Sequence, residues 1–84
     1  MTVSELKAYL TEHQVPTKLY QIGGEENGSI CLEKANDLWE IFFCEGKNKI
    51  GTLFFKDENS ACSLMLKELS KVMDLIYDVK LIKA

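Results

Sequence analysis

Residues 38–55 constrain this chain more than any other stretch. They read Leu-Trp-Glu-Ile-Phe-Phe-Cys, then Glu-Gly-Lys-Asn-Lys, then Ile-Gly-Thr-Leu-Phe-Phe. Two runs rich in aromatic and β-branched residues flank a short polar turn, which is the pattern of a β-hairpin. The stretch holds the only Trp and all four Phe of an 84-residue chain. A chain of this length buries only about 60–65 % of its unfolded surface, enough for one modest core. The core must therefore form on this hairpin, and the remaining elements must cover it.

A period of two divides the hairpin into faces. Trp39, Ile41 and Phe43 share one face, and Leu38, Glu40, Phe42 and Cys44 share the other. With a three-residue turn around Gly46 and Lys47, Leu53 and Phe55 fall opposite Ile41 and Trp39. Ile50, Thr52 and Phe54 then join Glu40 and Phe42. A slip of one residue would reverse the pairing. The first register is preferred because it collects Trp39, Ile41, Phe43, Leu53 and Phe55 into one apolar inner face and leaves Glu40, Phe42, Thr52 and Phe54 outside.

The flanking segments supply the cover. Thr2-Val3-Ser4-Glu5 matches a capping box, and Val3, Leu6, Tyr9 and Leu10 recur at helical spacing, so a helix is expected over 3–14, ended by Pro16. Residues 18–22 and 29–34 read as short strands joined by a glycine-rich loop, 23–28, and residues 35–37 form a turn. Asp57 is a natural N-cap. Ala61, Cys62, Met65, Leu66, Leu69, Val72, Met73 and Ile76 then line one side of a helix expected over 58–78. Leu81 and Ile82 could dock the tail. The order is α-β-β-β-β-α. The expected fold is α+β: one domain spanning 1–84, a four-stranded antiparallel sheet with both helices packed on one face, and the other face free.

Charge and residue types exclude several functions. The net charge is −3, and all ten basic residues are Lys. Arg is the usual group for bidentate phosphate and guanine recognition, so direct nucleic-acid binding is not expected. The glycine-rich loop carries Glu25 and Glu26, which repel phosphate, and lacks the lysine and serine of a P-loop. No apolar run approaches the roughly 20 residues that span a bilayer, and no secretory signal is visible at the N-terminus. Cys31, Cys44 and Cys62 are an odd number without zinc-type spacing, which favours reduced, buried thiols in a cytoplasmic protein.

Catalysis has little to draw on. His13 is the only imidazole, at the end of a helix and far in sequence from any cysteine. No cofactor or metal ligand set stands out, and no enzyme is expected. What remains is a surface. Glu25, Glu26, Glu33, Asp37, Glu40 and Glu45 crowd the strand-and-loop half of the chain, with Phe42 and Phe54 among them on the outer sheet face. Aromatic anchors ringed by carboxylates suit a basic protein partner.

Residues 20–69 resemble a family of small immunity proteins from bacterial polymorphic-toxin and contact-dependent growth inhibition systems. The residues that carry the resemblance are Cys31-Leu32-Glu33-Lys34, Trp39-Glu40-Ile41-Phe42-Phe43, the Glu45-Gly46 turn, Phe55, Glu58 and Ala61-Cys62. Relatives tend to carry Glu-Arg-Gly at the turn. This chain has no Arg, so a contact made through that side chain would not carry over. The resemblance implies a cytoplasmic protein that binds the C-terminal domain of one cognate toxin, often a nuclease, and covers its active or substrate-binding site. The free chain is expected to be a monomer that forms a 1:1 complex. The alternative is a small non-catalytic regulatory domain that self-associates through its free sheet face.

Overall fold

The computed structural model describes residues 1–81. Helix α1 (Val3–Glu12) is followed by a single 3-10 turn (Thr17–Leu19), strands β1 (Tyr20–Ile22), β2 (Ile30–Ala35), β3 (Leu38–Glu45) and β4 (Asn48–Phe55), and helix α2 (Glu58–Tyr77). The four strands form one sheet in the order β1-β2-β3-β4. The fold is α+β, as expected.

The expected capping box is present. The Thr2 hydroxyl accepts from the Glu5 amide, and the Glu5 carboxylate accepts from the Thr2 amide at 2.9 Å. These bonds hold the Glu5 carboxyl below its ordinary range. α1 ends two residues earlier than the pattern predicts, because Gln14 turns left-handed (φ 56°). The Val15 amide then reaches back to the Leu10 carbonyl. α2 is capped by Asp57, whose carboxylate accepts from the Ser60 amide at 2.8 Å, and stops at the left-handed Asp78.

The hairpin register agrees with the sequence reading at its base: Trp39 pairs with Phe55, Glu40 with Phe54 and Ile41 with Leu53. Two features of the hairpin differ. The turn has two residues, Gly46 and Lys47, since Glu45 pairs with Asn48. A bulge in β4 also inserts one residue between the Ile41–Leu53 and Phe43–Ile50 pairs. Gly51, at φ 64°, supplies the left-handed backbone that such a bulge uses. Ile50 is thereby moved off the outer face, where simple alternation puts it, and stands opposite Phe43 on the inner one.

The sheet is mixed, which corrects the expected antiparallel meander. β1 runs parallel to β2, with Tyr20 beside Ile30 and Ile22 beside Leu32. Parallel neighbours usually need a crossover of a dozen or more residues. Here residues 23–29, a seven-residue link, suffice. Gly23 and Gly24 take positive φ and turn the chain back across the outer face, where the Glu26 carbonyl lies against Cys31 Sγ. Gly28 then donates to the Cys44 carbonyl at 2.8 Å, and Cys44 donates to the Ser29 carbonyl at 3.0 Å, so β2 begins beside the end of β3.

Two cores result. The main one joins Leu6, Leu10 and Val15 to Leu32 and Ile41 of the sheet and to Ala61, Cys62, Met65, Leu69 and Met73 of α2. α2 lies on the inner face, while α1 packs beside α2 and contributes to the same cluster. Leu81 completes it, and the Tyr9 hydroxyl donates to the Leu81 carbonyl at 2.8 Å. The tail docks at Leu81; Ile82 lies outside the described residues. The second core is small, Cys31, Phe42 and Cys44 on the outer face. That face was expected to be free, but the returning glycine loop covers this part of it. All three cysteines are free and buried.

Candidate binding surface

The residues expected to bind a partner separate into two groups, with Asp37 apart from both. Phe42 is 1 % exposed and belongs to the second core, so it is not a surface anchor. Glu40, expected outside, is 8 % exposed. It faces Glu33 directly across the β2–β3 ladder, where two like charges would repel. Lys49 relieves this: its Nζ lies 3.3 Å from Glu40 Oε2 and 3.9 Å from Glu25 Oε1, and 4.7 Å from the centre of the Phe42 ring. Burial works against the Lys49 charge, but Glu40, Glu33 and Glu25 outweigh it and hold the ammonium above its ordinary range. Glu25, Glu33, Glu40 and Lys49 thus fasten the glycine loop onto the sheet. Their arrangement is accounted for by structure alone.

A second group gathers at the hairpin tip. The Gly46 amide donates to Asn27 Oδ1 at 2.6 Å, which brings the glycine loop against the β3–β4 turn. Glu26 and Glu45 are exposed there, and Glu25 is close by with its side chain half in solvent. Phe54 is 57 % exposed on the outer face of β4. Asp37 sits in the turn between β2 and β3, at the opposite end of the sheet, and joins neither group.

Among the described residues, an uncovered apolar surface lies on the inner face, where the sequence places core. α2 crosses the sheet but leaves the hairpin-tip half of β3 and β4 bare. A groove of about 370 Å³ runs between them, lined by Ile30, Phe43, Ile50, Leu53 and, from α2, Leu64 and Glu68. A second hollow of about 270 Å³ continues it past Leu19, Gly28, Val72 and Ile76, sharing Ile30 and Phe43 with the first. Phe43, Ile50 and Leu53 are 42 %, 45 % and 51 % exposed, and Ile76 is 69 % exposed. Contiguous apolar surface of this kind marks an interaction site more often than scattered single residues do. Its one charged wall residue, Glu68, is bonded to Lys71 at 3.4 Å.

Sequence reasoning missed this groove because it gave Phe43 and Leu53 to the core and Ile50 to the outer face. The available signal was Gly51, an isolated glycine inside a strand pattern, which suggests a bulge and therefore a change of face. Among the described residues no three His, Cys, Asp or Glu side chains converge as a metal site requires, and no helix is long and apolar enough to cross a membrane. His13 stacks on Tyr9, with ring centres 4.1 Å apart. No protein-family model, curated protein or solved structure matches this chain.

Proposed function

We propose that this protein is a non-catalytic binder that neutralises a toxin domain, an immunity protein of the kind its motif order resembles. The observation that carries the reading is the uncovered apolar groove beside an acidic hairpin tip. The groove offers buried area for apolar anchors. Glu26 and Glu45 offer steering for a cationic partner such as a nuclease domain. Binding by shape and charge needs neither a nucleophile nor a cofactor. The partner would be the C-terminal domain of a cognate toxin, held 1:1 in the cytoplasm with its active or substrate-binding site covered.

The test is co-expression with the variable C-terminal domain of an exported protein encoded beside this gene. A 1:1 complex that protects cells expressing the domain supports the reading. Reversing charge at Glu26 and Glu45 should slow association by about tenfold at low salt, with the effect shrinking as salt is added. No complex and no protection would overturn the reading. Association rates indifferent to both charge and salt would take the acidic tip out of the interface.

A further inference from the structure

We propose that β4 pairs with β4 of a second copy in an antiparallel, two-fold dimer centred between Gly51 and Thr52. The proposal does not rest on the toxin-neutralising reading, and it replaces the expected free monomer; a toxin domain seated in the groove would compete with the second copy. β4 is the last strand of the sheet and is eight residues long. Among the described residues no strand pairs with its outer edge, whose main-chain groups are the usual template for strand addition.

The bulge makes this edge self-complementary. Ile50 and Leu53 both stand on the inner face, opposite Phe43 and Ile41, while Lys49 and Phe54 both stand on the outer face, opposite Cys44 and Glu40. About a dyad between residues 51 and 52, Ile50 meets Leu53 of the second copy and Lys49 meets its Phe54. Inner residues meet inner ones and outer meet outer. In an unbulged strand, positions three apart would lie on opposite faces, and this centre would fail. A shift of two residues one way sets Thr52 of the outer set against Leu53 of the inner set; a shift the other way keeps the faces matched but sets Leu53 against the polar Asn48, so the Ile50–Leu53 apolar pair favours the centre between 51 and 52. The grooves of the two copies then adjoin, and Ile50 and Leu53 of each help to close the other.

The area places the contact among weak interfaces. Phe43, Ile50, Leu53 and Phe54, each about half exposed, offer roughly 400 Å² of apolar surface per copy. With the strand edges the pair would bury on the order of 1,200 Å², the lower end of specific interfaces. Lys47 and Lys56 of the second copy fall together at each end of the ladder, and each copy carries a net charge of −3. The dimer is therefore weak, with a dissociation constant on the order of 10–100 µM, and salt strengthens it.

Sedimentation equilibrium from about 1 µM to about 1 mM tests this. Expected are a reversible monomer–dimer equilibrium tightening with salt and a loss of at least tenfold in affinity for Leu53→Lys, whose exposed position spares the fold. Register is read separately by mild oxidation with glutathione disulfide. The I50C/L53C double variant should form a disulfide-linked dimer, whereas I50C and L53C alone should not, because position 50 faces position 53 and not itself. A chain monomeric at about 1 mM overturns the proposal and leaves the groove to a foreign segment. So does a dimer that survives Leu53→Lys, or one whose single variants cross-link as readily as the double.

Discussion

Phe42 holds the outer core together through two kinds of contact. Its ring fills the space beside Cys31 and Cys44, and its face receives the Lys49 ammonium that also neutralises Glu40. Replacing it with Ala should destabilise the fold by about 3–5 kcal/mol in urea denaturation, the usual cost of emptying a buried aromatic site. Partner association measured on the folded fraction should be unchanged. Phe54→Ala should do the reverse, leaving stability within about 0.5 kcal/mol and weakening association. The same contacts make Lys49 and Glu40 a coupled pair. Lys49→Met should lower the melting temperature by leaving Glu40 buried opposite Glu33, and adding Glu40→Gln should recover part of the loss. Equal losses in the single and double variants would mean that Lys49 acts only through the Phe42 ring.

At the scale of the elements, the helices were legible because their start signals are local. Thr2 and Asp57 cap the helices that the sequence assigns to them, and the apolar spacing of Ala61, Met65, Leu69 and Met73 is the buried stripe observed. Asp57 gives a test with a defined sign. The Ser60 amide bonded to its carboxylate holds its pKa below the ordinary value, so the folded chain binds that proton less tightly than the unfolded one. Its stabilisation is present above about pH 4 and is lost as pH falls through the depressed folded value. Asp57→Asn keeps a good cap and removes the titration, so stability should fall less steeply as the pH drops below about 4. An unchanged acid limb would assign that slope to other carboxylates, such as Glu5. The strands were less legible because their faces are set over distance. Alternation gave the base of the hairpin correctly, but the bulge at Gly51 moved Ile50, and the glycine loop that covers Phe42 belongs to neither strand of the hairpin, so periodicity could not register it. The direction of β1 was invisible for the same reason: only the path of residues 23–29 over Cys31 makes the strand parallel. The candidate site suffered most, since Phe42 and Phe43 are adjacent in sequence and exchanged roles.

At the scale of the whole molecule, α1 is fastened mainly to the other end of the chain. The Val3 amide donates to Glu58 Oε2 at 2.7 Å, Leu6 and Leu10 share a cluster with Cys62 and Met65, and Tyr9 bonds the Leu81 carbonyl. The outer core of Cys31, Phe42 and Cys44 lies on the far side of the sheet and shares none of these contacts. The two cores should therefore open separately, and the cysteines report on which one opens. Burial pushes the thiols of Cys62 and Cys31 above their ordinary pKa, so each reacts only when its surroundings part. Leu81→Ala removes the tail's buried anchor and should cost about 2–3 kcal/mol, close to the low end for a buried leucine. Loss of that anchor loosens α1 first. Labelling with an aromatic disulfide under native conditions should then modify Cys62 faster than in the parent chain, while Cys31 and Cys44 keep their parent rates. Peptide mapping of the labelled protein reads the three sites individually. Acceleration of all three together would mean that the sheet and both helices unfold as one unit, and that the division between the cores is one of geometry without energetic consequence.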